Sequence, residues 1–436
     1  NTITIGASGD TIALASGASQ TGFGRTGTVD WDTTAKTSNF TATNGEGYFV
    51  NTTSGAITVT LPAGSAGSIL SLKDYANTWN TNNVTVTPNG TDKINGTNAD
   101  AVLNTQDQSV TVVYVDSTVG WRVVQDSTSA VDGATFITAT GGTITTSGDF
   151  KIHSFTGPGT FTVCSVGNAA GSNSVDYLVV AGGAGGGSGN AASGSGAGGG
   201  GAGGWRASSG TASGCYTAGP GPLTSPVSAL PVTAQGYPIT VGGGGAGSNS
   251  CVNCRGSNGV NSVFSTITST GGGGGGTRVI SPSAPDANGN PGGSGGGGSN
   301  MCGTRGTAGA GNTPPVSPPQ GNDGAQNETV NGNGGAGGGA VAAAGITPSS
   351  AGGTGGTGAT SCITASPVAY AGGGGGSGTP AGGPGGTGGG GNGSPGSAPG
   401  TAGTANTGGG GGGGRGAGYS GLAGGSGIVI IRYKFQ

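Results

Sequence analysis

In the first third of the chain, apolar and polar residues alternate. Ile57, Val59 and Leu61 form one such series, and Val110, Val112 and Tyr114 another. A period of two turns one face of an extended segment inward, which is the mark of a half-buried strand. The pattern predicts strands at 47–51, 56–61, 68–73, 84–87, 109–115 and 120–124. Turn residues separate them at Pro62–Ala63–Gly64, Asn89–Gly90 and Asn95–Gly96. Further strands are predicted at 134–139, 142–146, 149–155, 159–164 and 175–180. The apolar signal then stops, and returns at Ile428–Val429–Ile430–Ile431–Arg432–Tyr433. Near the start, Ile3, Ile5, Ile12 and Leu14 flank the turn pair Gly9–Asp10. That segment is too short to bury a core of its own, so it is expected to lean on partner chains.

Glycine fills the long gap. The chain holds 110 glycines in 436 residues, against an average of about 7%. Only 22 of them fall in residues 1–175, leaving 88 in the remainder, where about one residue in three is glycine. Helices are excluded over such a tract, because glycine costs ~1 kcal/mol per helical position relative to alanine. Collagen is excluded as well, since no strict every-third-residue frame exists. No apolar run reaches the ~20 residues that span a bilayer as a helix. Charge changes the picture little. The first 175 residues carry 12 acids and 6 bases, and the rest 4 acids and 7 bases. Neither part shows the basic stripe of a nucleic-acid binder. The chain opens at Asn1 and its one methionine is Met301, so it is expected to be a mature product, a fragment or part of something longer.

A glycine tract is by default a flexible linker. Here strand-like segments bracket it, which points to order. Fixing glycine costs more backbone entropy than fixing any other residue, and no side chain offsets that cost. Compensation must come from backbone hydrogen bonds and close packing. Extended three-residue-per-turn helices have no internal hydrogen bonds, so without Cβ atoms they can lie side by side and bond to one another. The runs 198–201, 242–245, 271–276, 295–298, 372–376, 388–391 and 408–414 suit such a polyglycine II lattice. Segments 220–238, 278–291 and 313–327 are expected as loops between them.

The expected fold is therefore all-β plus a polyglycine II lattice, almost without α-helix. Residues 1–38 are a short fibre segment and 39–130 a small β-sandwich-like domain. Residues 131–436 form a glycine-rich domain, with a β-layer from 131–180 and 427–435 and a core with exposed loops from 181–426.

Catalytic patterns are sparse. The one histidine, His153, sits in an alternating strand and reads as structural. No lysine follows a glycine, so the phosphate-loop motif is missing. Cys251 and Cys254 form a lone C-x-x-C, and zinc would need two more ligands. The other cysteines are Cys164, Cys215, Cys302 and Cys362, and their pairing stays open. Asp30 and Asp32 flank Trp31, a pair that glycan hydrolysis could use. No enzyme activity, cofactor or metal is expected. The aromatic and basic residues of the glycine-rich part suit binding better, because Trp, Tyr and Arg are enriched in hot spots. The candidates are Trp205, Arg206, Tyr216, Tyr237, Arg278, Arg305, Tyr370 and Tyr419, with Arg415 in the same group.

Certain anchors recur in a familiar order. They are Lys151–Ile152–His153–Ser154–Phe155, Gly159–Thr160–Phe161–Thr162–Val163, Val175–Asp176–Tyr177–Leu178–Val179–Val180–Ala181–Gly182–Gly183, Gly203–Gly204–Trp205–Arg206, Tyr237–Pro238–Ile239–Thr240–Val241–Gly242 and Gly424–Gly425–Ser426–Gly427–Ile428–Val429–Ile430. Over about residues 134–436 the chain resembles the glycine-rich domains of bacteriophage tail fibres. Upstream, Gly47–Tyr48–Phe49, Val59–Thr60–Leu61–Pro62 and Leu72–Lys73–Asp74–Tyr75 resemble tail-fibre modules of marine and cyanobacterial phages. The resemblance implies an extracellular virion fibre, usually a homotrimer, joined to other tail proteins. Its partner would be a host cell-surface receptor, a polysaccharide or an outer-membrane protein, with no nucleic acid and no membrane insertion. A purely structural filament and a glycan depolymerase are the alternatives.

Overall fold

The computed structural model describes residues 29–127, 134–168, 171–189, 195–224, 227–249, 254–278, 285–301, 304–327, 332–345, 350–416 and 419–436. The expected element around Ile3–Leu14 lies outside them. The chain divides into two compact units, Asn1–Asp132 and Gly133–Gln436.

The first unit is built from nine strands: β1 (Asp30–Lys36), β2 (Phe40–Thr41), β3 (Glu46–Val50), β4 (Ile57–Thr60), β5 (Ile69–Asp74), β6 (Val84–Thr87), β7 (Ala101–Leu103), β8 (Ser109–Tyr114) and β9 (Trp121–Ser127). Successive strands up to β6 alternate between two sheets, ordered β1-β3-β5-β8-β9 and β2-β4-β6-β7. Neighbours along that winding path are parallel, β1 with β3, β3 with β5, β2 with β4 and β4 with β6. β7, β8 and β9 then add antiparallel edges. The alternating residues meet in one core, where Ile57, Val59, Val84 and Val86 face Leu70, Leu72, Val110 and Trp121. β1 corrects the boundary expected at residue 38, because its pairing with β3 makes Asp30–Lys36 part of the sandwich.

The second unit starts as a β-layer. Its strands are β10 (Thr138–Thr140), β11 (Thr143–Ser147), β12 (Phe150–Phe155), β13 (Gly159–Ser165), β14 (Ser174–Val180), β15 (Trp205–Ala207), β16 (Leu230–Pro231), β17 (Gly236–Thr240), β18 (Ser262–Phe264) and β19 (Ile267–Ser269). Two hairpins follow, β20 (Asn300–Met301) with β21 (Thr304–Arg305), and β22 (Ala359–Ser361) with β23 (Val368–Tyr370). The closing strand β24 (Ile428–Lys434) inserts between β12 and β14 in the sheet β11-β12-β24-β14-β15. Both faces of β24 are covered. Val429, Ile431 and Tyr433 enter one core with Tyr177, Phe161 and Phe264. Ile428 and Ile430 enter a second core with Leu178, Trp205 and Tyr370. Burial on both faces explains the unbroken apolar run there. The only α-helix among the described residues is the four-residue turn Gly221–Thr224.

Beyond Val180 the chain enters the glycine body, and its hydrogen bonds repeat every third residue. Gly198, Gly201 and Gly204 donate to Gly276, Gly273 and Thr270, which lie on one neighbouring run. Gly199 and Ala202 donate to Gly335 and Gly338 on a second, and Gly200 and Gly203 to Gly411 and Gly408 on a third. Residues 182–187 repeat the rule. Gly182 and Gly185 reach Val260 and Ser257, Gly183 and Gly186 reach Gly425 and Leu422, and Ala184 and Gly187 reach Gly201 and Gly198. A threefold helix turns 120° per residue, so each run serves three neighbours in rotation. This is the polyglycine II arrangement. Most glycines inside it keep negative φ, so the left-handed region is not why they are glycine. Space is the reason: a Cβ on Gly199 or Gly200 would come closer than 3.0 Å to the backbone of Gly374 or Ala184.

The loops are shorter than the sequence suggests. Parts of 278–291 and 313–327 join the lattice, with Asn290 N bonded to Gly274 O and Ala325 N to Ala336 O. These rim strands carry side chains because one of their faces has no neighbouring run. Asn258 and Asn261, three residues apart, use their Oδ1 atoms to accept from Gly274 N and Gly271 N, each at 2.9 Å. Asparagine amides thus complete the lattice where backbone partners end.

Candidate functional site

The eight candidate binding residues divide by burial. Trp205, at 1% exposure, pairs through β15 with Val180 and packs 6.1 Å from the Tyr370 ring. Burial pushes the Tyr370 hydroxyl up to about 12. Tyr237 lies between Phe161 and Phe264, and its hydroxyl accepts from Thr233 N at 2.8 Å. These three are core residues. The correction has a simple cause: in a body without side chains, the large rings are needed where the β-layer must be filled. Trp205 and Tyr370 do come together, but inside.

The other five lie nearer the surface and are spread out. Arg305 is exposed on its hairpin, while Arg206, Arg278 and Tyr419 are half-buried. Tyr216 is half-buried under the guanidinium of Arg432, 5.0 Å from its ring, and burial drives its hydroxyl strongly upward. Arg432 also lies 4.7 Å from the Phe150 ring and donates to the carbonyls of Ser213 and Ile363. Its cross-strand partner Asp176 accepts from Ser208 Oγ at 2.7 Å and Ser213 Oγ at 2.6 Å. This group is an internal brace that ties 208–216 to the sheet.

The residues with possible chemistry are mostly held by structure. His153 is fully buried, with Nδ1 at 2.7 Å from Gly141 O and Nε2 at 3.1 Å from the Tyr433 hydroxyl. Burial holds its pKa below the usual histidine range. Asp32 is bonded to Lys36 Nζ at 2.7 Å, and that bond lowers its carboxyl below the ordinary aspartate value. A general acid needs the opposite shift. Cys254 is disulfide-bonded, and Cys164, Cys215 and Cys362 are free. Among the described residues no group of three or more His, Cys, Asp or Glu is placed to hold a metal.

One concave feature joins a charged residue to open space. Two grooves, of about 520 and 440 Å³, run along the turns at 379–384 and 392–401 and share Pro380 and Pro395. Thr379, Gly396, Ser397 and Arg415 line the first, and Pro384, Asn392, Pro399 and Thr401 the second. Arg415 is 9% exposed. Its Nη1 donates to Asn333 Oδ1 at 3.0 Å. The same oxygen accepts from Thr379 N at 3.0 Å, while Asn333 Nδ2 donates to Ala351 O at 2.9 Å. Asn333 therefore fixes the guanidinium relative to the groove wall. At Gly396, where φ is +88°, a Cβ would stand 3.1 Å from Arg415 Cδ. The missing side chain lets the arginine lie along that wall.

The sequence signal for this place was the isolation of Arg415, the one charged residue between Glu328 and Arg432. The groove itself was not legible, since two separate turns have to meet to form it. In the family comparison, a model described as a glycine-rich domain matches residues 156–434. No curated protein matches the chain.

Proposed function

The chain belongs to the glycine-rich domain family over residues 156–434, and from that premise we propose that it is a non-enzymatic attachment protein, the distal part of a bacteriophage tail fibre. The glycine body holds turns and loops toward a host cell-surface receptor, and the sandwich is the shaft-proximal part. The chain works as a homotrimer joined to other tail proteins, outside the cell. One observation carries the reading: a lattice built mainly of glycine, its inner runs bonded to three neighbours in rotation, that fixes the turns at its rim. Loops on a rigid scaffold are where recognition residues concentrate. The arrangement invests many backbone bonds in holding turns still, which a plain spacer does not need.

The test is direct. Purified, labelled protein incubated with a panel of bacterial cells should adhere to a subset of them, and excess unlabelled protein should displace it. Adherence to none, by protein whose lattice amides are protected from exchange, would leave the structural-filament reading in its place.

A further inference from the structure

Among the described residues no carboxylate pairs with Arg415. The residue as a whole is 9% exposed, and burial lowers its pKa. The ion pairs among the described residues are Lys36–Asp32, Lys73–Asp107 and Arg255–Asp286, and none involves Arg415. The side-chain hydrogen bond it makes among the described residues goes to a neutral amide. A buried, unpaired charge is costly, and proteins ordinarily pair it. Here Arg415 lines an open groove. Guanidinium matches carboxylate in two parallel hydrogen bonds, which makes arginine the residue suited to that group.

The walls restrict what carries the carboxylate. Pro380 and Pro395 offer C–H surfaces, and Thr379, Ser397, Asn392 and Thr401 offer short hydroxyls and an amide. Pyrrolidine C–H surfaces beside short polar groups suit a pyranose, whose faces are C–H and whose edge is hydroxyl. The second groove continues the first past the shared prolines, so the track extends beyond one sugar. We propose that this groove binds an acidic glycan, with Arg415 forking onto a uronate carboxylate and the Pro380–Pro395 walls holding the ring. The proposal rests on the attachment reading and specifies its receptor class.

The experiment is calorimetric titration of the full chain with a tetragalacturonate, with a neutral glucose tetramer and inorganic phosphate as separate arms. Wild type should bind the uronate oligomer, more weakly as salt rises. Arg415→Gln should weaken it about 10- to 100-fold, as expected for hydrogen bonds to a charged group. Arg415→Lys should recover only part, because an ammonium cannot fork. Ser397→Trp keeps the charge and fills the groove, so it should abolish binding even if Arg415→Gln fails to fold. Equal affinity for the neutral oligomer, phosphate binding without uronate binding, or an unchanged affinity in Ser397→Trp would each overturn the proposal. Cell adherence separates the two readings. Adherence that Arg415→Gln leaves intact removes the acidic-glycan site and keeps attachment, and uronate binding without adherence does the reverse.

Discussion

The sandwich and the glycine body solve the same problem with opposite means. In the sandwich, side chains do the excluding of water: Trp79, Trp121, Leu70 and Val59 are fully buried in one apolar core. In the glycine body the backbone fills the interior itself, and inner runs such as 182–187 and 198–204 answer three neighbours in turn. The first design absorbs changes of shape at fixed volume for less than about 1.5 kcal/mol, because side chains can repack. The second has little beyond an occasional alanine or serine to move. Its tolerance is set by the gap between one backbone and the next.

The largest effect should come from adding one methyl group to that gap. Gly200→Ala puts a Cβ closer than 3.0 Å to the Ala184 and Gly185 backbone, so whole runs must separate. The expected loss is at least about 4 kcal/mol, in the range of exceptional single-site effects. Gly243→Ala is the control, since a Cβ there meets nothing within 4 Å. It should leave stability unchanged or raise it by up to ~1 kcal/mol through the unfolded chain. Hydrogen exchange reads both outcomes: amides of 198–203 should be protected in the wild type and the control, and exposed in Gly200→Ala. Equal effects in the two variants would refute a lattice limited by Cβ space.

The sandwich should lose stability when a group is removed instead. Leu70→Ala deletes a fully buried side chain and should cost about 2–5 kcal/mol, a transfer loss plus a cavity. Trp79 and Trp121 report that unit by fluorescence during urea unfolding. A shift below ~1 kcal/mol would mean that the core relaxes more than its packing implies.

How far each unit could be read from sequence follows from the same contrast. Strands with an apolar period, such as Ile57–Thr60 and Val84–Thr87, stand close to the predicted places. Asp30–Lys36 escaped because it is a polar edge strand that joins through its backbone, with no buried stripe to show. Ala101–Leu103 is too short to show a period. In the glycine body the threefold principle was legible, but not the partners. Gly200 donates to Gly411 and accepts from Gly374, and nothing in the glycine sequence encodes that choice. The rim strands were hidden by their own side chains, as at Ser257 and Leu422. Trp205, Tyr237 and Tyr370 looked like surface anchors because glycine surrounds them in sequence, whereas the β-layer surrounds them in space.

Acid should distinguish the units by a smaller amount. The only histidine, His153, belongs to the β-layer of the second unit, and its folded pKa is lowered by burial. Above its ordinary value of 6.5 both states are neutral, and the stability is fully present. As pH falls from there toward the lowered folded value, the unfolded state takes up the proton first and stability drains away. Melting of the second unit should therefore drop between pH 7.5 and 5, and His153→Gln should flatten that drop. The sandwich, without histidine among its residues, should hold its melting point over that interval. An equal fall in both units would assign the effect to carboxylates.

The smallest predicted change tests whether the two interiors differ in slack as well as in composition. Between the sheets of the sandwich lies a cavity of about 60 Å³, walled by Leu61, Leu72, Val86, Ile94, Leu103 and Trp121 among others. Val86 is 6% exposed and stands on the wall, so Val86→Ile directs one more methyl group toward empty space. Filling such a space commonly stabilises by about 0.5–2 kcal/mol, and the lower end fits a single methyl. The same added carbon at Gly200 meets backbone at once. The urea midpoint of the sandwich should rise slightly with an unchanged slope, since no new surface is exposed on unfolding beyond that methyl. A fall in the midpoint would place the sandwich interior in the same regime as the lattice, packed so closely that one carbon is too many.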